Sequence, residues 1–307
     1  MPSRAHFTSA AIGDQSGRRF VVTGANSGLG FETARLLAAH GGHVLLTARS
    51  QAKGEGAVAR LKVAQPDAQV EYGVLDLADL DSVRSFAAGL SAAGRSFDVL
   101  VNNAGVMFPP CLLSRQGNEL QFATNHLGHF ALTGLLLDTI RQASDARVVT
   151  VSSLEHRGGS IHFADLTGKR SYSPRGFYQQ SKFANVLFAL ELDRRLRAAG
   201  VPVRSVLAHP GWSSTNLQTS GPTGLIKQAM RLGNRLFAQS AEMGALSQIY
   251  AAVDPAVESG HFYGPGGIGE LRGFPKEVQP VGPAKDEATA RRLWELSEEL
   301  TGVTYRF

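Results

Sequence analysis

A tyrosine and a lysine stand four positions apart in the string Y-Q-Q-S-K, which runs from Tyr178 to Lys182. Residues with this spacing share one face of a helix, so the phenol and the ammonium are predicted to be neighbours. A tyrosine has an ordinary pKa of about 10, too high for an efficient base near neutrality, and a nearby positive charge lowers it. Such a string is common by chance, so its place in the chain decides whether the pair indicates proton transfer.

A glycine-rich segment lies upstream, where T-G-A-N-S-G-L-G extends from Thr23 to Gly30. It follows a predicted strand and opens a predicted helix, which is the context that a dinucleotide-binding loop requires. Glycines allow a tight turn and a close approach of the backbone, and the helix N-terminus attracts a pyrophosphate. The spacing is T-G-x-x-x-G-x-G rather than the general G-x-G-x-x-G. We predict cofactor contacts from Gly24, Asn26, Ser27, Gly28, Leu29 and Gly30.

The end of the second predicted strand bears on the choice of dinucleotide. An NAD site usually carries Asp or Glu about twenty residues after the glycines, where it binds the ribose 2′-hydroxyl. Here T-A-R-S stands at that place, and its Arg49 can pair with a 2′-phosphate. Lys53, one turn into the next helix, is more simply a surface lysine. The pattern predicts NADP(H) rather than NAD(H).

Short apolar segments alternate with longer amphipathic ones through most of the chain. Strands that alternate with helices pair in parallel, with helices on both faces of the sheet. We therefore predict an α/β protein with a Rossmann-type, doubly wound parallel sheet of about seven strands. Strands are predicted at 19–23, 43–47, 69–75, 98–101, 147–151 and 203–208, and helices at 29–40, 51–64, 80–93, 119–143, 177–199, 241–253 and 286–300.

The 307 residues contain no convincing linker, so we predict a single domain over residues 18–307. Residues 1–17 are predicted to form a flexible lead-in, because they lack the apolar core of a secretory signal. The regular pattern weakens after Pro210, and a substrate-binding segment is expected at about 212–238. The stretch from Gly264 to Gly282 is predicted to be a loop rich in glycine and proline.

Composition excludes several other classes of protein. The single cysteine, Cys111, rules out an intramolecular disulfide and a cysteine metal cluster, and we predict no metal site. No apolar stretch approaches the ~18 residues of a membrane span, so we expect a soluble, cytoplasmic protein. The net charge of +5 comes from scattered arginines without interleaved aromatic residues, so we expect no nucleic-acid partner.

Further segments follow in a fixed order, and together they resemble the short-chain dehydrogenase/reductase family. N-N-A-G begins at Asn102, V-S-S ends at Ser153, and H-P-G-W begins at His209. The glycine loop, N-N-A-G-V-M, N-H-L-G-H-F and the stretch 240–252 are most similar to the branch of retinol-dehydrogenase-like and protochlorophyllide-reductase-like proteins. A long interval between Ser153 and Tyr178 is also typical of that branch.

The resemblance implies roles for individual residues. Tyr178 is expected to exchange the proton with the substrate. Lys182 is expected to lower the pKa of Tyr178, together with the oxidised nicotinamide, and also to bind the ribose. Ser153, rather than Ser152, is expected to bind the substrate oxygen, and Asn125 to position a water for a proton relay. Further cofactor contacts are implied for Asp76, Leu77, Asn103, Ala104, Gly105, Pro210, Gly211 and Thr215.

The function implied is hydride transfer between NADP(H) and the carbonyl or alcohol carbon of an apolar substrate. Two alternatives stay open: an NADP-sensing regulator without catalysis, and a light-dependent pigment reductase. An epimerase on the same fold usually has T-G-x-x-G-x-x-G and a larger C-terminal domain, and neither is present in this sequence. The resemblance also implies a homodimer or a homotetramer.

Overall fold

The computed structural model describes residues 6–213 and 238–307. Strands and helices alternate as the sequence predicts. The strands are β1 Arg19–Val22, β2 His43–Ala48, β3 Val70–Val74, β4 Val99–Asn102, β5 Ala146–Val151, β6 Val203–Ala208, β7 Phe262–Pro265 and β8 Pro275–Val278. The main helices are α1 Gly28–Ala39, α2 Gln51–Ala64, α3 Leu80–Ala92, α4 Leu120–Phe122, α5 Gly128–Ile140, α6 Pro174–Ala198, α7 Ala241–Val253 and α8 Glu287–Thr301.

In the described residues, the strands form one sheet in the order β3-β2-β1-β4-β5-β6-β7-β8. Every pair from β3 to β7 is parallel, which confirms the doubly wound sheet. β8 is antiparallel to β7, with Phe262 opposite Val278. It lies in the segment that the sequence predicted to be a loop. A short edge strand that begins with Pro275 and exposes two of its four residues leaves little apolar signal in a sequence.

Helices cover both faces of the sheet because side chains alternate along each strand. Phe20 and Val22 of β1 pack in one apolar cluster with α1, α2 and α7. Val21, between them, packs on the other face with α3, α5 and α6. Helix α8 joins this second layer through Trp294, whose ring lies 5.0 Å from that of Phe130. Asp286 caps the N-terminus of α8, since its carboxylate accepts from the backbone N–H of Ala288 and Thr289.

The described part of the predicted lead-in is packed on the protein. Phe7 and Ile12 belong to the cluster that includes α1 and α7, and the Phe7 ring contacts Tyr250 edge-on at 5.0 Å. The prediction of a flexible segment therefore does not hold for residues 6–17. Two apolar side chains among polar neighbours are too few to indicate burial from the sequence.

The loop after each parallel strand from β1 to β6 lies at the same edge of the sheet. The strand order reverses between β1 and β4, which is where open α/β sheets bind their ligands. The topology thus collects the glycine loop, Arg49, Asp76, the loop after β4 and Ser153 at one edge. Among the helices of residues 6–213 and 238–307, none is both long and apolar enough to cross a membrane.

Candidate active site

The glycine-rich segment from Thr23 to Gly30, which ends in the first turn of α1, contains two positions that have no room for a side chain. Gly24 has a φ of +63°, and a Cβ added to it would lie 2.8 Å from Cβ of Ala104. A Cβ on Gly30 would lie 2.5 Å from Nδ2 of Asn103 and 2.8 Å from the carbonyl oxygen of Gly24. Asn103 also donates from Nδ2 to the Thr23 carbonyl at 2.7 Å. The glycine loop is therefore locked against the loop after β4.

The N-terminus of α1 is prepared for an anion. Ser27 occupies the N-cap position, but its side chain makes no capping hydrogen bond, and the first turn contains no acidic residue. The first backbone N–H groups of a helix have no partner within the helix, and the helix dipole adds a partial positive charge there. This arrangement suits the pyrophosphate of a dinucleotide.

A cleft of about 490 Å³ opens beside this helix terminus, and we call it the β1–β4 cleft. It brings together twelve of the residues predicted to bind the cofactor: Gly24, Asn26, Ser27, Gly28, Leu29, Gly30, Arg49, Asp76, Leu77, Asn103, Ala104 and Gly105. Several other lining residues were not among the predicted cofactor contacts, among them Thr47, Met107, Pro109, Leu120 and Thr124.

The charges on the wall of the cleft favour a phosphate near β2. Arg49 and Lys53 both line the cleft, and both side chains are exposed. Among the described lining residues, Asp76 is the one acid, and its Oδ1 accepts from the backbone N–H of Ala78 at 3.0 Å. Lys53, predicted from the sequence to be a surface lysine, is exposed and lies on the same wall of the cleft as Arg49.

Helix α6 places Tyr178 and Lys182 on one face, close to its N-terminus. Ser173 caps the helix through a bond from the Gly176 N–H, and Pro174 occupies its first turn. Both functional side chains are buried, with exposures of 4% and 3%. Lys182 donates from Nζ to the Val151 carbonyl at 3.1 Å, and its Nζ lies 5.9 Å from the centre of the Tyr178 ring.

The two serines after β5 have different surroundings. Ser152 donates from Oγ to the Lys182 carbonyl at 2.9 Å and therefore ties β5 to α6. Ser153 lies close enough to Tyr178 to lower the pKa of its phenol, and its Oγ accepts from the Glu155 N–H at 3.3 Å. This arrangement supports Ser153 as the serine that meets the substrate oxygen.

Asn125 lies in a π-helical turn, Ala123–Leu127, that separates α4 from α5. The sequence predicted one continuous helix over 119–143, and this turn interrupts it. π-helical turns are rare and occur frequently at functional sites. The Asn125 amide is fully engaged: Oδ1 accepts from the Val106 N–H at 2.8 Å, and Nδ2 donates to the Val106 carbonyl and to Ser181 Oγ.

The loop after β4 lies between Asn125 and Lys182. A Cβ on Gly105 would lie 3.2 Å from Oδ1 of Asn125 and 3.7 Å from Nζ of Lys182. Gly105 also lines the β1–β4 cleft, so the cleft ends where the buried residues begin. We call Asn125, Ser153, Tyr178 and Lys182 together the Tyr178 cluster.

Comparison with known proteins agrees with this geometry. The family model described as short chain dehydrogenase matches residues 18–224, which is more than half of the chain. The chain belongs to the short-chain dehydrogenase family. The resemblance inferred from the glycine loop, the N-N-A-G segment and the Tyr178–Lys182 pair is thereby confirmed.

Two curated relatives and one solved structure match this short-chain dehydrogenase over nearly its whole length. Mouse polyprenol dehydrogenase is 40% identical, covering 98% of this chain and 88% of its own. Human retinol dehydrogenase 13 is 40% identical, covering 94% and 85%. A crystal structure of an uncharacterised protein from Mycobacterium paratuberculosis is 41% identical, with a TM-score of 0.80 and coverage of 99% and 100%.

Burial sets the protonation of the Tyr178 cluster in this dehydrogenase. It lowers the pKa of Lys182 to about 8. It raises the pKa of Tyr178, and the neighbouring Ser153 hydroxyl only partly opposes that rise. The family resemblance implied that Lys182 and an oxidised nicotinamide together lower the Tyr178 pKa, and the protein groups alone do not produce this effect. They favour a protonated phenol, which is the form that donates a proton.

His129, which is not among the predicted site residues, connects the Tyr178 cluster to the glycine loop. Its Nδ1 donates to the Asn125 carbonyl at 3.0 Å, and its Nε2 is 2.9 Å from Oγ1 of Thr23. Thr23 in turn accepts from the N–H groups of Asn103 and Ala104. Burial lowers the pKa of His129 to about 4, so the ring is neutral near pH 7. Its spacing of four from Asn125 is the signal that could have indicated this contact.

Pro210 and Gly211 follow β6 but lie outside the lining of the β1–β4 cleft. Gly211 has a φ of +63°, and a Cβ there would lie 2.4 Å from the Leu271 carbonyl oxygen. His209 fixes this turn, because Nδ1 accepts from the Gly211 N–H and Nε2 pairs with Glu270. Thr215 lies outside the described residues, as does most of the segment predicted to bind substrate, so both remain predictions.

Proposed function

We propose that this chain is an NADP(H)-dependent oxidoreductase that acts on the carbonyl or alcohol carbon of an apolar substrate. One observation carries the proposal: the β1–β4 cleft, with Arg49 on its wall, reaches Gly105, where an added Cβ would lie 3.7 Å from Nζ of the buried Lys182. Oxidoreductase activity is a property of the family. The preference for NADP(H) and the apolar substrate are what we propose in addition.

The fit of the cofactor rests on the contacts of the cleft. Gly24 and Gly30 let the glycine loop pack closely against Ala104 and Asn103, and the N-terminus of α1 supplies N–H donors that have no partner within the helix. Arg49 and Lys53 would bind the 2′-phosphate, and Lys182 the ribose of the nicotinamide half. A planar guanidinium binds phosphate through two parallel hydrogen bonds, so Arg49 is the main determinant proposed for NADP(H).

The bound nicotinamide would supply or accept the hydride. Ser153 would donate a hydrogen bond to the substrate oxygen, next to the phenol that it already contacts. In reduction, Tyr178 would donate its proton to that oxygen, and in oxidation it would withdraw the proton. Lys182, whose Nζ is held by the Val151 carbonyl, would stabilise the phenolate that remains after donation.

Asn125 and His129 would hold this arrangement in place. The Asn125 amide fixes the loop after β4 through both polar groups of Val106, so its role is to position that loop beside Lys182. An apolar substrate is supported by the relatives, which are named for polyprenol and retinol. Cytoplasmic location and assembly into a dimer or tetramer stay predictions.

The test is a panel of apolar aldehydes and ketones with NADPH or NADH, followed by nicotinamide absorbance, for the wild type and Arg49→Gln. We expect turnover with a preference for NADPH, and a loss of about tenfold or more of that preference in the variant, as for a charge-assisted phosphate contact worth about 1.5–3 kcal/mol. Lys62→Gln, on an exposed lysine of α2 outside the cleft lining, is the control.

Equal use of both cofactors by the wild type would overturn the NADP(H) assignment. Binding of NADPH without turnover of any member of the panel would favour the sensing regulator over the enzyme. Turnover that requires light would favour the pigment reductase.

A further inference from the structure

Phe108 holds an unusual backbone conformation directly beside Tyr178. Its φ is +57°, in the left-handed region that bulky side chains rarely adopt. Its ring meets the Tyr178 ring edge-on, with centroids 5.4 Å apart and an interplanar angle of 85°. Strained backbone of this kind persists only where surrounding contacts impose it, and it concentrates at functional sites.

A network of buried polar groups imposes this conformation. The Phe108 N–H donates to Oε1 of Gln121 at 2.9 Å, and Gln121 is fully buried. Gln121 then donates from Nε2 to the Pro174 carbonyl at 3.0 Å, at the start of α6. Tyr172 donates to the Pro109 carbonyl at 2.8 Å and so holds the next residue of the loop.

This network gives the long interval between Ser153 and Tyr178 a structural role. Tyr172 lies just before α6 and Pro174 is the first residue of α6. Tyr172 contacts the loop after β4, and Pro174 contacts Gln121 of α4. The same segment therefore presents Tyr178 and fixes the loop that carries Phe108.

Packing alone does not explain the position of the Phe108 ring. The side chain is half-buried and belongs to none of the three apolar clusters of the described core. Its neighbours Met107 and Pro109 both line the β1–β4 cleft. Phe108 thus stands where the cleft meets the Tyr178 cluster, at the place where a substrate carbonyl must arrive.

We propose that Phe108 is a specificity-determining residue, which forms the wall against which the apolar group next to the substrate carbonyl packs. The proposal rests on the function proposed above and names the substrate class more closely: carbonyl compounds whose apolar group is unbranched or flat beside the reacting carbon. A ring fixed next to the phenol leaves little space for branching there.

The experiment compares kcat/KM for an unbranched aldehyde and for one branched next to the carbonyl, using Phe108→Ala and Phe108→Gly. Both variants remove the ring, so both should shift the ratio toward the branched compound by about tenfold or more, the size expected for small changes in an apolar pocket. NADPH affinity should stay unchanged.

The two variants also distinguish the effect of the Phe108 ring on specificity from the effect of backbone strain on stability. Glycine adopts a φ near +57° without cost and alanine does not, so Phe108→Gly should have the higher melting temperature while the substrate ratio is the same. Phe108→Leu keeps apolar bulk and should shift the ratio in the same direction by less. Phe163→Ala, a half-buried phenylalanine beneath the Arg292 guanidinium, is the control.

An unchanged ratio in both truncated variants, with the wild type active, would overturn the role of Phe108 and leave the proposed function intact. Absence of turnover by the wild type with every carbonyl compound would overturn both. A ratio that follows melting temperature rather than ring removal would assign Phe108 a structural role only.

Discussion

The β1–β4 cleft and the Tyr178 cluster are neighbours, yet they are built in different ways. The cleft is shaped by the backbone, through glycines such as Gly24 and Gly30 and the free end of α1, with its charge on the exposed Arg49. The Tyr178 cluster is instead built from side chains: burial shifts the pKa of Tyr178 and Lys182, and hydrogen bonds from other elements hold Lys182 and Asn125. The cleft therefore depends on the space that its backbone leaves, and the Tyr178 cluster depends on the protonation of its side chains.

This difference predicts opposite sensitivities. In the cleft, an added methyl group should harm binding, because backbone and side-chain atoms lie within 3 Å of the missing Cβ. In the Tyr178 cluster, a substitution that preserves the shape of the side chain should be tolerated by the fold but should abolish a chemical step. Burial of an ammonium also costs stability, so catalytic capacity and stability are opposed there.

The largest expected effect comes from the removal of one oxygen atom in the cluster. Tyr178→Phe should lower kcat by about a hundredfold to ten thousandfold, the usual contribution of a positioned acid or base. The dissociation constant for NADPH, measured by fluorescence titration, should change little, because the ring remains in contact with Phe108.

Tyr72→Phe is the matched control, since Tyr72 lies on β3 and its hydroxyl bonds only to Glu55 among the described partners. It should leave both constants unchanged. Normal turnover by Tyr178→Phe would end the assignment of the proton donor and, with it, the contrast between the two regions.

The next effect concerns stability and its pH dependence. Since the Lys182 pKa is about 8 in the fold and about 10.5 in the unfolded chain, the unfolded state binds more protons between these values. The penalty for burying the charge is full below pH 8 and is lost as the pH rises, so the free energy of unfolding increases through that window. Lys182→Met should be more stable by up to about 3 kcal/mol near pH 7, and by less near pH 10.

Urea unfolding of the cofactor-free protein at both pH values measures this difference. The Val151 carbonyl keeps a partner in the variant, because Asn185 donates to it at 3.2 Å. Lys53→Met, at an exposed lysine, should show no such pH-dependent gain. A Lys182→Met protein less stable than the wild type at both pH values would contradict the predicted cost of burial.

The smallest of these effects tests the space in the cleft. Gly30→Ala should lower the free energy of unfolding by about 1–3 kcal/mol, as overpacking does, and should weaken NADPH binding. At saturating NADPH, kcat should be close to that of the wild type, because the Tyr178 cluster is untouched.

Gly56→Ala is the control for this change. Gly56 lies in α2 with no atom within 4 Å of an added Cβ, so alanine should instead stabilise the helix by about 0.5–1 kcal/mol. If Gly30→Ala behaved like Gly56→Ala, the loop would have more room than the contacts with Asn103 and Gly24 allow.

Sequence patterns predicted the β1–β4 cleft more fully than its surroundings. Twelve of the predicted cofactor residues line it, because each follows a strand and parallel strands end at one edge of a sheet. The π-helical turn at Asn125, the contacts of His129 and the strain at Phe108 were not predicted. Each depends on a partner far along the chain, such as Thr23 for His129 and Tyr178 for Phe108.

The sequence alone therefore determined the family, the sheet and the placement of the glycine loop and Arg49, since periodicity and spacing are local properties. Only the tertiary structure decided the protonation of Lys182 and Tyr178 and the position of the ring beside the phenol. A pKa depends on the loss of water around a group, and that loss is produced by residues from β5, α6 and the loop after β4 packed together. No local pattern records which distant side chains will exclude the water.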